Sequence, residues 1–384
     1  VRSVYFDHSA TTPVDKRVAA EMINCITGNF GNPSSIHAFG RRARMAVEEA
    51  RERVAKGIGA NPDEIVFTSG GTEADNIALE GAARANRERG NHIITCAVEH
   101  HAVLDICKTL EKDGFKITVL PVDACGMVHV EDVAGAVSEK TILITIMHAN
   151  NEVGTIQPIP EIGRLARERG IIFHTDAVQS AGKIPVRVDE LGVDLLSLSG
   201  HKIYGPKGIG ALYIRSGTRW QPVSHGGGQE RGQRAGTENV PGIVALGKAV
   251  ELAAAELDEE AARLTRLRDK LIQQVTERIS HVYLNGHPVN RVPNNINFSF
   301  QDVEGESLLL SLDREGIAAS SGSACAAGAV EPSHVLTAMG VPPALAQSSL
   351  RITLGRENTE DDVDYLLAVL PPVIERLRSM APKS

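Results

Sequence analysis

Lys202 follows Ser199, Gly200 and His201, directly after an apolar run over 193–198 that reads as a buried strand; Gly205, Pro206, Lys207 and Gly208 then turn the chain sharply. An ammonium at the end of a core strand is costly to bury. A desolvated lysine, in contrast, sheds its proton more readily and can form a Schiff base. On this run alone, a lysine in a surface turn stands as an equal reading. Asp176 ends a second apolar run, 171–175. A carboxylate there needs a partner. It either caps a helix or pairs with a cation, or it holds a proton on a pyridine nitrogen. A lysine Schiff base with an aspartate opposite the ring nitrogen is the recurring arrangement of pyridoxal phosphate sites.

Four further features bear on that chemistry. The run Ser69-Gly70-Gly71-Thr72-Glu73-Ala74-Asp75-Asn76 passes from strand to helix. Glycines there let backbone N–H groups face an anion at the positive end of a helix, although a plain turn capped by Thr72 also satisfies the pattern. It is neither a Walker loop nor a GxGxxG run. Cys325 lies in a small-residue stretch, Ser320 to Ala329, with no amphipathic period. That stretch reads as a loop carrying either an incidental thiol or a nucleophile; a thiol of ordinary acidity is already a few per cent thiolate near neutral pH. Arg351 stands inside the apolar run 350–354, where alternation points it to solvent and chemistry makes it a bidentate clamp for a carboxylate. His100 and His101 follow the run 92–97, and either could stack on a ring or move protons.

The elements that position these residues alternate. Apolar runs at 64–68, 92–97, 117–121, 141–147, 171–175, 193–198 and 210–214 are separated by helical patterns such as 41–56, 72–87, 102–112 and 161–169. Strands apolar on both faces, joined by helical crossovers, predict an α/β fold with a mostly parallel seven-stranded sheet. Ligands bind beyond the carboxyl ends of such strands, where Gly70 to Thr72, His100, Asn150-Asn151, Asp176 and Lys202 all fall. A glycine-rich stretch, 226–239, leads into a helical pattern over 240–279, about 60 Å long and able to bridge two domains. Strands near 295–300 and 350–354 and a helix capped by Thr359 follow, with Pro371-Pro372 expected to bend or break that helix. The expected division is a large domain over 15–255 and a smaller α/β domain made of 1–14 and 256–384.

The net charge of −8 argues against a nucleic-acid binder that works by neutralising phosphates. No apolar run approaches the roughly 20 residues of a membrane span, and the first residues lack a signal peptide's apolar core; a cytoplasmic protein is expected. The five cysteines, Cys25, Cys96, Cys107, Cys125 and Cys325, are scattered and never spaced CxxC, which speaks against a disulfide framework or structural zinc. Cys96 and Cys107 lie in apolar-periodic segments and read as inert core thiols.

Together these motifs resemble the cysteine desulfurases of the NifS/IscS type, within the class V aminotransferase group of fold-type I pyridoxal phosphate enzymes. The resemblance runs along nearly the whole chain. It takes in Tyr5 to Pro13, Gly31-Asn32-Pro33-Ser34-Ser35, Ser69 to Asn76, Glu99 to Val103, Asn150 to Gly154 and Asp176 to Gln179. Ser199 to Lys202, Arg234 to Asn239, Ser320 to Cys325, Glu331-Pro332-Ser333 and Leu350-Arg351 complete it. The resemblance implies that Lys202 binds pyridoxal phosphate and moves protons, that Asp176 holds the pyridine nitrogen, and that Gln179 and Asn151 bond the ring-oxygen side. It implies that His100 stacks on the ring, and that Gly71, Thr72, Ser199, Gly200 and His201 hold the phosphate. Thr237 would reach the phosphate of a neighbouring subunit, so a homodimer is implied. Arg351, with Asn32, would bind the carboxylate of L-cysteine, and Cys325 would form the persulfide that passes to a sulfur acceptor such as an iron–sulfur scaffold, a tRNA-thiolation enzyme or a thiamine-pathway carrier. The long small-residue segment around Cys325 is similar to that of the family's first subgroup, with Ala326-Ala327 where relatives often carry Ser or Thr. An aminotransferase or selenocysteine lyase on the same scaffold, and a non-catalytic subunit, are the rival readings.

Overall fold

The computed structural model describes residues 2–321 and 332–380. Chain order begins with β1 (Val4–Tyr5), α1 (Lys16–Gly28), α2 (Ala38–Ile58), β2 (Ile65–Thr68), α3 (Gly71–Ala85), β3 (His92–Cys96), α4 (His101–Lys112) and β4 (Lys116–Leu120). It continues with α5 (Val130–Ala136), β5 (Thr141–Thr145), α6 (Ile159–Arg169), β6 (Ile172–Asp176), α7 (Val188–Leu191), β7 (Leu195–Ser199), β8 (Gly210–Ile214) and α8 (Val240–Arg278). The last part holds β9 (Val282–Leu284), β10 (Asn295–Phe300), α9 (Gly305–Arg314), β11 (Ile317–Ala318), α10 (His334–Ala338), α11 (Pro343–Gln347), β12 (Ser349–Thr353) and α12 (Glu360–Met380).

Seven strands form one sheet in the order β2-β8-β7-β6-β5-β3-β4. All pairings are parallel except those of β8, which runs against both its neighbours. The apolar runs are continuous because both faces are covered. Successive residues go to opposite cores: Ile93, Leu195 and Leu212 pack with α3 and α4 on one face. Ile94, Leu196 and Tyr213 pack with α2, α6 and the start of α8 on the other. In α2 the spacing of Ala43, Val47, Ala50, Val54 and Ile58 makes a single buried stripe. Gly59, at φ 71°, stops it in the left-handed conformation that a glycine adopts without strain.

A second core gathers Val4, Phe6, the later half of α8 (Leu264, Leu267, Leu271, Val275), β10, β12 and α12. Its sheet is antiparallel, β12-β10-β9, with β1 pairing β11 beside it. Helix α8 therefore buries Ile243, Leu246 and Val250 in the first core and its carboxyl half in the second. The short helices α10 and α11 return Val335, Leu336, Met339 and Ala346 to the first core.

Helix α12 is not broken at its prolines. Pro371 and Pro372 lie inside α12, which runs unbroken to Met380. Each proline costs about 3 kcal/mol in a helix interior. Val363, Leu366, Leu367, Leu370, Val373 and Ile374 are all buried on one face, and burial of each stabilises by about 1.5–3 kcal/mol. One carbonyl released by the prolines, that of Leu367, accepts from Arg278 Nη1 at 3.5 Å. Among the described residues no helix is long and apolar enough to cross a membrane.

Candidate active site

The carboxyl ends of five strands converge as the crossover pattern requires. β2 delivers Gly70 and Gly71, β3 His100, β5 Asn150 and Asn151, β6 Asp176, and β7 Lys202 by way of a single 3-10 turn, Gly200–Lys202. The segment after β1 lies across these ends. Lys202 Nζ donates to the carbonyls of Ser9 at 2.5 Å and Ala10 at 2.8 Å. Thr12 donates through its N–H and its hydroxyl to the His201 carbonyl, at 2.9 and 3.0 Å. His201 Nδ1 meets the Thr11 hydroxyl at 3.1 Å. Burial, then the Lys202 charge, holds the His201 imidazole down at about 4, so it is neutral. Gly200 has no room for a Cβ, which would meet Ile209 at 2.9 Å.

Asp176 is buried, and its Oδ1 accepts from Val178 N at 2.8 Å. Burial pushes its carboxyl above the usual range, against the opposing pull of His100, the Val178 amide and Lys202. His100 caps α4, its Nδ1 accepting from Ala102 N at 3.1 Å; burial lowers its proton affinity. Of the histidine pair, it is His100 that is half-buried and within the field of Asp176 and Lys202, whereas His101 is exposed, its ring centroid 4.6 Å from that of His334 with the planes tilted by 49°. Beneath this floor, Asp75 and Glu99 are fully buried, each with one oxygen lacking a hydrogen bond. Glu99 Oε1 accepts from Met147 N at 2.7 Å and from Cys96 Sγ at 3.1 Å, and burial lifts its carboxyl to about 8.

Gly71 opens α3, whose N-terminus has no side-chain cap. A Cβ on Gly71 would sit 2.7 Å from Val178, so only glycine lets this turn close onto the 176–179 segment. Thr72 is exposed beside it and Ser199 is buried below. The glycine-rich loop before α8 is tied down at two points. Arg234 grips Glu73 with two bonds, 2.8 and 3.1 Å. The buried Glu230 takes both Arg51 guanidinium nitrogens, at 2.9 and 3.0 Å, and the Phe67 N–H at 2.9 Å. Glu230 and Arg231 adopt positive φ, 46° and 56°, a strained conformation that these bonds offset. Thr237 stands exposed at the end of this loop.

Arg351 does not point to solvent; it is 4% exposed, because β12 pairs with β10 and both faces of that strand are covered. Its Nη2 donates to Asp7 Oδ1 at 2.9 Å and its Nη1 to the Asn151 carbonyl at 3.1 Å, while Nε is buried without a partner. Asn151 is thus beside Arg351. Asn32 is in an exposed turn, its side chain accepting from Ser34 N at 2.9 Å, and no hydrogen bond ties it to Arg351. Gln179 uses its amide N–H on the Ser9 carbonyl, 3.0 Å. Cys325 lies outside the described residues. Cys96 and Cys107 are buried, and burial raises both thiols, Cys107 to about 12.

Reading from the residues singled out none of Asp7, Ser9, Ala10, Lys183 or the Arg51–Glu230 pair. For Asp7, Ser9 and Ala10 the signal was the resemblance over Tyr5 to Pro13, since that run carries neither a charge cluster nor a period.

These groups fit pyridoxal phosphate: a helix N-terminus with no side-chain cap for the phosphate, a lysine, a buried carboxylate, and an arginine with an unused N–H. A mostly parallel sheet that gathers such a set at its strand ends is the layout of the fold-type I pyridoxal phosphate enzymes. Residues 4–366 match the family Aminotransferase class-V. A cysteine desulfurase IscS of Dictyoglomus turgidum is 60% identical over 381 residues, 99% of this chain and 97% of the relative. A solved NifS-like protein superposes with a TM-score of 0.91 at 43% identity, covering 98% of this chain and 99% of the other. The structure of SspA in complex with cysteine gives a TM-score of 0.82 at 43% identity, over 91% and 98%. The chain belongs to the class-V aminotransferase family, within it to the cysteine desulfurases of the NifS/IscS type.

Proposed function

We propose that the protein takes sulfur from L-cysteine, releases L-alanine, and holds the sulfur on Cys325 as a persulfide for an acceptor protein. The observation that carries this reading is the meeting of Lys202, Asp176, His100 and Arg351 at the strand ends. Pyridoxal phosphate bound there would supply an electron sink for bond-breaking next to the substrate α-carbon. Lys202 would anchor that group and afterwards carry the α-proton. Asp176 would keep a proton on the ring nitrogen, which its buried carboxylate favours electrostatically. Gly71, Thr72, Ser199, Gly200 and His201 would hold its phosphate, Gln179 and Asn151 would bond the ring-oxygen side, and His100 would lie against the ring and exchange protons. Arg351, with Asn32, would take the substrate carboxylate, the Arg351 Nε–H being the one that has no partner here.

The Cys325 thiolate then attacks the substrate sulfur. An S–S bond forms as the C–S bond breaks, the electron pair stays with the carbon fragment, and protonation there yields alanine. A homodimer, in which Thr237 serves the neighbouring site, completes the arrangement. The acceptor is a scaffold for iron–sulfur clusters or a protein of tRNA or cofactor thiolation.

The test pairs two variants. Cys325→Ala should keep the visible absorbance and its response to L-cysteine but release no sulfide with reductant; normal turnover would refute the persulfide role. Lys202→Ala should lose the visible band, and retention of that band moves the anchor elsewhere.

A further inference from the structure

Lys183 is the second lysine of this region and has no task in the reaction above. It is 8% exposed. Its Nζ donates to the Gln179 carbonyl at 3.0 Å and to Gln179 Oε1 at 3.4 Å. The same Gln179 amide donates from Nε2 to the Ser9 carbonyl at 3.0 Å, and that carbonyl receives Lys202 Nζ at 2.5 Å. One bond chain therefore joins the two amines: Lys183 fixes which way the Gln179 amide faces, Gln179 fixes the Ser9 carbonyl, and Ser9 receives Lys202. We propose that Lys183 is a positioning residue for Lys202: it fixes the Gln179 amide and, through it, the Ser9 carbonyl beside the Lys202 nitrogen, and its own charge sets how readily that nitrogen gives up a proton.

The surroundings make the second half of this role electrostatic. Lys183 and Lys202 line one small cavity, together with His8 and Asn294, whose free volume of about 20 Å³ admits a single water. Lys183 is buried and Lys202 half-buried, so the two amines are screened from one another less than they would be in water. Burial, then the Lys202 charge, brings the Lys183 amine down to about 7. No carboxylate answers it. Glu256 faces the cavity but is bound to Arg17 and Arg356, at 2.6 and 3.0 Å. Glu260 is bound to Arg263 at 3.0 Å. Burial, then the Lys183 charge, holds His8 at about 4, and His201 is likewise at about 4, so both rings are neutral near pH 7. Tyr204, raised to about 12 by burial, adds no charge. Among the described residues lining the cavity, the basic side chains besides the histidines are Lys183, Lys202 and Arg356, the last bound to Asp15 and Glu256. Two amines placed this way disfavour each other's protonation. The turn is also rigid: a Cβ on Gly182, at φ 70°, would press on Ala253 at 3.0 Å and Ile203 at 3.1 Å.

This inference rests on Lys202 being the cofactor anchor, and the experiment separates the two. Borohydride reduction of the purified, cofactor-loaded protein followed by peptide mass spectrometry locates the anchor; a label elsewhere than Lys202 overturns the anchor reading itself. With the label on Lys202, the visible absorbance is titrated against pH in the absence of substrate. Lys183→Met should move the midpoint upward by about one pH unit, and Lys183→Arg should return it towards the parent value. An unchanged or lowered midpoint in folded Lys183→Met makes Lys183 a core residue only and overturns the proposal. The unaltered protein gives an independent reading if that variant does not fold. The Lys202 nitrogen and the Lys183 amine, if coupled, broaden the titration beyond a one-proton curve, and a curve of unit slope also overturns it.

Discussion

The Arg51–Glu230 pair is the first place to perturb, since it ties the loop carrying Thr237 to the sheet. Both side chains are nearly inaccessible, 2% and 3%. Arg51 also donates to the Ile65 carbonyl at 2.7 Å and lies over the Phe67 ring at 4.8 Å. Arg51→Met keeps most of the packed volume but strands Glu230 as a buried carboxylate with only the Phe67 N–H to stabilise it. Breaking a buried pair from one side costs about 3–5 kcal/mol. For a chain of this length, with unfolding entropy of about 2.1 cal/mol/K per residue, that is a fall in Tm of roughly 4–6 °C. The double variant Arg51→Met/Glu230→Met removes the stranded charge. It still forfeits the Phe67 and Ile65 bonds, at about 1–3 kcal/mol for each buried group left unmade. Denaturant unfolding of the parent, both single variants and the double variant closes a cycle. The expected coupling is of the order of 1–3 kcal/mol, with affinity for pyridoxal phosphate falling in both single variants as the loop loosens. Strictly additive losses would refute the idea that this pair works as one anchor.

Three other substitutions probe the floor and the clamp. Arg351→Gln loses the charge and the forked donor set, so KM for L-cysteine should rise about 100-fold, equivalent to roughly 2.7 kcal/mol, with Arg351→Lys intermediate because its point charge has no fork; unchanged KM values would remove Arg351 from the substrate site. Glu99→Gln tests a buried proton. The folded protein keeps Glu99 neutral up to about 8, whereas the unfolded chain ionises it near 4.5. The folded state thus binds the extra proton between those values, and stability falls as pH rises through that window. Glu99→Gln should gain on the parent by a few kcal/mol between pH 5 and pH 8; urea midpoints that stay parallel across that range contradict the assignment.

The seven runs that became the large sheet were legible because a parallel strand buried on both faces has no polar alternation, so each reads as a short apolar block between turns. Their carboxyl ends located Gly71, His100, Asn151, Asp176 and Lys202 before any coordinates did, since crossover topology sends every such end to the same edge. Alternation misplaced Arg351, because it assumes one wet face, and β12 has none. The proline pair in α12 misled in the same way: propensity is local, while the apolar face it must outweigh is tertiary.

What the residues alone determined was the set of strand ends and the chemistry gathered there, because periodicity and turn residues are local properties. Only the tertiary structure decided what lies across that set. The carbonyls of Ser9 and Ala10 meet an amine nearly two hundred positions away, Asp7 meets Arg351, and Lys183 comes to share a cavity with Lys202. Backbone carbonyls carry no sequence signal, and a buried lysine is written with the same letter as an exposed one. Their roles arise from desolvation and distance, which exist only once the chain is folded.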